Sequence, residues 1–203
     1  MKPRQALQLT LLTFGLVSCT SSAGLTPPAV YTPSVSLAPV TSQPASGYPA
    51  SWILPDPSLT PGALQPGVTL AQLCPHVSKA LEAMRPTAGD KTVVYRIYGN
   101  PRRKPGQFEI DHLIPIELGG LAGAPAARVT VNLWPELNDK PDPAMIAKYH
   151  LSASYVHNSK DLLEDRLHQL VCHGQVSLPA AQHAIATDWR AAYVTWVGKP
   201  QES

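Results

Sequence analysis

The sequence predicts a small α+β domain with too few strands for a sheet-dominated core. Three observations predict it. Two short strand-like runs, FEIDHLI (108–114) and VTVNLW (129–134), flank a glycine-rich connection, LGGLAGAPAAR. Helical patterns stand before and after them. Near residue 67 the composition changes from a proline-, serine- and threonine-rich stretch to a mixture able to form a core. At 203 residues the chain has room for one domain with appendages.

The first residues read as a targeting signal. Lys2 and Arg4 give a positive start, and QALQLTLLTFGLVS is an apolar run too short for a comfortable membrane span. It ends at LVSC, with Cys19. A small residue before a cysteine at that place resembles a bacterial lipobox. The resemblance implies cleavage before Cys19, lipid on its thiol, and a chain held at the cell envelope. The alternative is an ordinary secretory signal cut nearby, for example at Ala23. Either way the chain is expected to be exported. Residues 1–19 are therefore read as the signal and 20–66 as a tether, in which Asp56 is the one charged residue and prolines stiffen the chain locally. The stretch YPASWILP around Trp52 has the apolar content to dock, but it is assigned to the tether. Residues 67–203 are assigned to the folded domain.

Within that domain, TLAQLCPHVSKALEAMRP predicts a helix that restarts at Pro75 and ends before Pro86. AGDKTVVYRIYG predicts a second helix stopped by Gly99, although its β-branched, aromatic centre also suits a strand. NPRRKPGQ is a basic loop. FEIDHLI and VTVNLW are the strands. KDLLEDRLHQLVCHG is an amphipathic helix with Gly174 past its end. LPAAQHAIATDWRAAYVTW is the last helix; Leu178, Ile185, Trp189, Ala192 and Trp196 recur at helical spacing and are expected in the core.

Export also bears on the cysteines. There are three, Cys19, Cys74 and Cys172. With Cys19 lipidated, an even pair remains in an oxidising compartment, so a Cys74–Cys172 disulfide is expected. It would close a loop of about 98 residues, with an upper bound of roughly 4–5 kcal/mol from loop entropy. A metal site is the rival, supported only by His76 and His173 nearby in sequence and by no CxxC pair. The formal charge of +2 is too weak to argue for nucleic acid by itself.

The chemistry concentrates at DHLIPIELGG (111–120). Alternation sends Asp111 and His112 to opposite strand faces, but a twisted strand end lets both approach one cleft. Pro115 ends the ladder, Gly119 and Gly120 turn the chain, and the second strand brings Asn132 alongside. DHLIPIELGG followed by NLWP resembles the HNH, or ββα-metal, nuclease motif. With KDLLE, VCHG, AQHAI and DWRAAY it looks like a group of exported bacterial HNH-like proteins, over about residues 70–196. The resemblance implies a two-stranded hairpin plus helix as core, surrounded by additional helices. It implies that Asp111 binds the metal, that His112 is the general base acting on water, and that Asn132 braces the loop and orients His112. The third position, a His or Asn on the helix after the second strand, is less regular here. Asn158 is the first candidate, then His157, with Asn138 outside them. The implied ion is Mg²⁺ or Mn²⁺, or else Zn²⁺.

Such residues suit phosphodiester hydrolysis. The anion repels nucleophiles and the leaving alkoxide is poor; a divalent cation relieves both, and a neutral imidazole activates water. Arg102, Arg103 and Lys104 stand just before the first strand, and Arg96 points the same way, so a phosphate-tracking rim is expected. No base-reading element is visible. The expected function is a metal-dependent endonuclease of low sequence specificity acting on DNA, with RNA a second substrate. The alternative is a catalytically inactive, HNH-like envelope module that binds nucleic acid or serves a structural role. No protein partner is expected. Glu109 and Glu117 read as salt-bridge partners. The histidines at 76, 150, 168, 173 and 183 read as surface or helix-face residues.

Overall fold

A computed structural model describes residues 47–74, 85–100, 103–123 and 126–200, together with Lys79 and Ala83. The signal, Cys19, the tether up to residue 46, Arg102, His76 and most of the helix expected after Pro75 lie outside these residues.

The described chain is α+β. Helix α1 spans Leu70–Leu73 and α2 spans Ala88–Ile97. Strand β1 is Phe108–His112, followed by 3₁₀ turns at Ile116–Leu118 and Ala126–Val131, then strand β2 at Leu133–Leu137. Helices α3 (Pro143–Lys148), α4 (Ser159–Cys172) and α5 (Leu178–Trp196) complete it. The ambiguous VVYRIY run is helical. Thr87 caps it through the Asp90 amide, and Asp90 returns the bond in a capping box.

The strands form an antiparallel pair in which Asp111 faces Trp134 and His112 faces Leu133. β2 begins later than the sequence suggests. Val129 and Val131 belong to a 3₁₀ turn, and the strand runs on through Pro135. The register explains how it tolerates proline. Leu113 N–H donates to Asn132 O, and Asn138 N–H donates to Gln107 O. Counting between those bonded pairs, Ile110 and Pro135 form a non-hydrogen-bonded pair. The missing proline N–H therefore points out of the ladder.

The largest apolar cluster joins α4 (Leu162, Leu163, Leu167) to α5 (Ile185, Trp189, Tyr193). Each such side chain contributes on the order of 1.5–3 kcal/mol on burial. A second cluster packs Val94 and Tyr95 of α2 against Ile110, Leu133 and Trp134 of the hairpin. Leu178 and Trp196 are partly buried at the rim of the first cluster. No helix among the described residues is long and apolar enough to cross a membrane.

The folded body begins earlier than residue 67. Trp52 is buried against Trp189 and Tyr193, with ring centroids 5.0 and 4.6 Å away. Its indole N–H donates to Asp139 at 2.7 Å, and Trp189 donates to Ile53 O at 2.9 Å. Thr60 is buried on the Tyr98 hydroxyl. Gly62 and Ala63 donate to Val131 O, Gln65 to Gly119 O, and Leu121 to Ala63 O. The tether assignment fails over 48–65 because Trp52 and Thr60 are buried with partners, and because proline-rich chain can still donate and accept at its other positions.

Candidate functional site

The loop after β1 is held from inside. Asn132 is 1 % exposed. Its Oδ1 accepts from Ile114 N–H, and its Nδ2 donates to Ile114 O and Leu121 O. One amide thus fixes both ends of the turn that contains Gly119 and Gly120. Gly119 has φ +75°, and a Cβ at Gly120 would lie 1.7 Å from Ile114 O. No side chain fits there, so the glycine pair is a steric requirement.

Asp111 and His112 go to opposite faces, as alternation demands. Asp111 shares its face with Trp134 and Glu136. There it meets Lys160, in the first turn of α4, which is fully buried. The Lys160 ammonium donates to Asp111 Oδ2 at 2.5 Å and to His112 O at 2.6 Å. It also donates to Glu164, one turn along α4, and lies 3.8 Å from Glu136 Oε2. Carboxylate oxygens of Asp111, Asp161 and Glu164 lie within 4.8 Å of one another, a group able to hold a metal ion.

The electrostatics are lopsided. Burial pushes the Asp111 carboxyl up, but the Lys160 ammonium and then His112 pull it down, leaving it below the ordinary value. Burial likewise opposes the charge on Lys160, yet Asp111, Glu164 and Glu136 hold its pKa well above normal. Glu136 and Glu164 are both raised well above the carboxylate range by burial, which Lys160 only partly offsets. Asp161 is pushed up to about 7 by burial and by the Asp111 charge. One ammonium cannot balance four carboxylates away from water, so protons or a second cation must supply the rest. Glu136 Oε2 is buried with no hydrogen-bond partner. An all-oxygen donor set with an orphaned acceptor beside it fits a hard divalent cation better than zinc.

His112 is buried on the other face. Its Nε2 is 3.5 Å from Ala122 O. Burial lowers its pKa; Asp111 opposes that, while Lys160 and Arg85 add to it. Burial thus favours the neutral imidazole.

The three candidates for the third position lie in different settings. Asn158 is the N-cap of α4: its Oδ1 accepts from Asp161 N–H at 2.8 Å. Its Nδ2 is buried without a partner. His157 is exposed, and its backbone N–H donates to Asp161. The side chains grouped with Asp111 are Asp161 and Glu164 rather than His157. Asn138 is exposed and bonds Gly106 O. Glu117 and Glu109 form no ion pair among the described residues, contrary to the salt-bridge expectation; burial raises both carboxyls. Of the basic rim, Arg96, Arg103 and Lys104 are exposed, with Arg103 over the Tyr95 ring at 3.5 Å. The cations felt by His112 are instead the buried Lys160 and, after it, the exposed Arg85.

Cys74 and Cys172 stand at disulfide distance, with Cα atoms 5.7 Å apart and 98 residues between them in sequence. His168, expected as a surface or helix-face residue, lies half-buried on α4 beside them.

Lys160, Glu136, Asp161 and Glu164 were not singled out by the sequence. KDLLE offered a signal, since Lys160 and Glu164 are spaced i, i+4 on α4. Comparisons with protein-family models, curated proteins and solved structures find no match.

Proposed function

We propose that this chain is a metal-dependent phosphodiesterase of the HNH type, acting on nucleic acid with little sequence preference. The observation that carries the proposal is the group of Asp111, Asp161 and Glu164 oxygens, placed where β1 meets α4. The hairpin and α4, with α3 between them in sequence, support a ββα-metal core, and the DHLIPIELGG and NLWP motifs support the family. Asp111, Asp161 and Glu164 would hold Mg²⁺ or Mn²⁺. When bound, such an ion neutralises the phosphate anion and stabilises the leaving oxygen.

The chain supplies the rest. His112 is kept neutral and directs Nε2 toward Ala122 O, which leaves Nδ1 to take a proton from water. Asn132 holds the loop carrying Ala122 through Leu121 O, so it positions rather than reacts. Arg85 and the exposed Arg96, Arg103 and Lys104 suit backbone phosphates. The N-terminal signal and Cys19 support export and lipid anchoring at a bacterial envelope.

A second proposal has its own observation. Lys160 already bonds Asp111 and Glu164, two of the three proposed ligands. A built-in cation in that position favours a binding or structural module without catalysis.

Plasmid nicking by the full chain in Mg²⁺ or Mn²⁺ separates the two. Hydrolysis is expected, abolished by EDTA, and reduced about 10²–10⁴-fold in His112→Ala. Glu164→Gln should need more metal for the same rate. A folded protein inactive with every divalent ion tried would hand the site to the module.

A further inference from the structure

The cysteine pair carries an inference independent of the nuclease proposal. Cys74 closes α1, and Cys172 ends α4. His168 and Cys172 are four residues apart on α4, so they share one helix face. The two Sγ atoms and one His168 ring nitrogen lie within 4.8 Å of one another. His168 Nε2 is 3.1 Å from Leu73 O. Donation of its N–H to that carbonyl fixes the tautomer and leaves Nδ1 with a free lone pair. Ligating histidines are characteristically oriented by such a bond. The neighbours Leu73, Ile116 and Ala122 make the setting apolar.

We propose that the reduced form of this protein binds zinc through Cys74, Cys172 and His168, so that the same residues act as a disulfide staple or as a metal site according to redox state. A dithiol reductant donates two electrons and two protons to the Cys74–Cys172 disulfide and becomes a disulfide itself. Zinc then displaces both thiol protons to solvent and takes two thiolates and one imidazole, with water in a fourth position. Tetrahedral geometry with Zn–S near 2.3 Å needs the sulfurs about 3.8 Å apart, which side-chain rotation from a bonded pair supplies. The ligands are soft, unlike the carboxylate group around Asp111, so the two sites select different ions.

The test uses the full chain, reduced by a phosphine, stripped of metal and titrated with Co²⁺ under excess Mg²⁺. A thiolate-to-cobalt charge-transfer band with tetrahedral d–d bands is expected, reversed by zinc, with native far-UV circular dichroism retained. The bands should vanish in Cys172→Ser and in the oxidised chain, and His168→Ala should weaken cobalt binding by more than about tenfold. A reduced chain that shows no bands, folded or not, overturns the proposal. So does a His168→Ala protein that binds cobalt as the parent does.

Discussion

Two buried clusters in this chain are built on opposite principles. Around Trp52 the groups are aromatic, and each indole N–H in the contact finds an acceptor, Asp139 for Trp52 and Ile53 O for Trp189. Around Lys160 the groups are charged, acids outnumber bases, and Glu136 Oε2 and Asn158 Nδ2 are left without partners. Both clusters join distant parts of the sequence. Only the first is assembled as stability alone would assemble it. A largely buried site with surplus carboxylates costs free energy, as the aromatic cluster does not.

Removing the central cation should have the largest effect. Lys160→Met keeps the packing volume but leaves Asp111, Glu136 and Glu164 without a counter-charge, a loss of about 3–5 kcal/mol. The sign with pH is fixed. Asp111 is depressed in the native protein, so its stabilising share is present above the unfolded value and is lost as pH falls. Glu136 and Glu164 are raised, so their share is present below the unfolded value and is lost as pH rises. Loss of the ammonium removes the Asp111 share and enlarges the penalty on the glutamates at higher pH. The defect should therefore be worst near neutrality and shrink toward pH 4, measured by urea melts in EDTA. Mn²⁺ should restore part of it if the carboxylates bind metal. A defect of equal size at every pH would break the contrast between the clusters.

Trp52→Ala comes next. It removes a 3 %-exposed ring from the Trp189–Tyr193 contact, and large-to-small changes of this kind cost about 3 kcal/mol or somewhat more. This loss should be flat with pH. If it instead followed the Lys160→Met profile, the two clusters would be one coupled unit.

How far the sequence revealed these clusters depends on the kind of signal each one sends. Asp111, Asn132 and the glycine pair were legible because a strand ending in a proline and two glycines leaves few conformations. The Cys74–Cys172 pair was legible from parity and compartment. Lys160 was not, because a lysine early in an amphipathic helix normally faces water, and only the hairpin across from it supplies its acids. The start of β2 was misplaced since Val129 and Val131 have strand propensity, while Pro135 conceals a strand whose register exempts it. Trp52 was passed over because the surrounding prolines signal disorder by composition, and its binding partners lie more than a hundred residues away on α5. Motif position points to His157, while the described carboxylate group beside Asp111 comes from α4, whose Asn158 cap Asp161 reciprocates.

The smallest predicted effect lies at the far edge of the aromatic cluster. The last helix was expected to be continuous, but Asp188 interrupts it with φ −158° and ψ 96°. Its Oδ1 accepts from Arg190 N–H at 3.0 Å and from Ala191 N–H at 3.3 Å, so it caps a second helical segment in mid-run. It also pairs with Arg190, whose guanidinium lies 4.9 Å from the Tyr48 ring centroid. Asp188→Ala should cost about 1 kcal/mol through the lost cap. Asp188→Asn keeps an acceptor for the same amides and should cost a few tenths, since a partly exposed ion pair adds little. Hydrogen bonds from Arg190 and its charge outweigh burial and hold the Asp188 carboxyl below 3.8. Its contribution is then present above that value and lost as pH falls through the native one. The parent and Asp188→Ala should consequently differ by about 1 kcal/mol at pH 7 and nearly converge in acid, read as the difference between their melting curves. A gap that persisted in acid would mean that the carboxyl caps the helix as well protonated as charged, and that Asp188 owes its place to shape rather than charge.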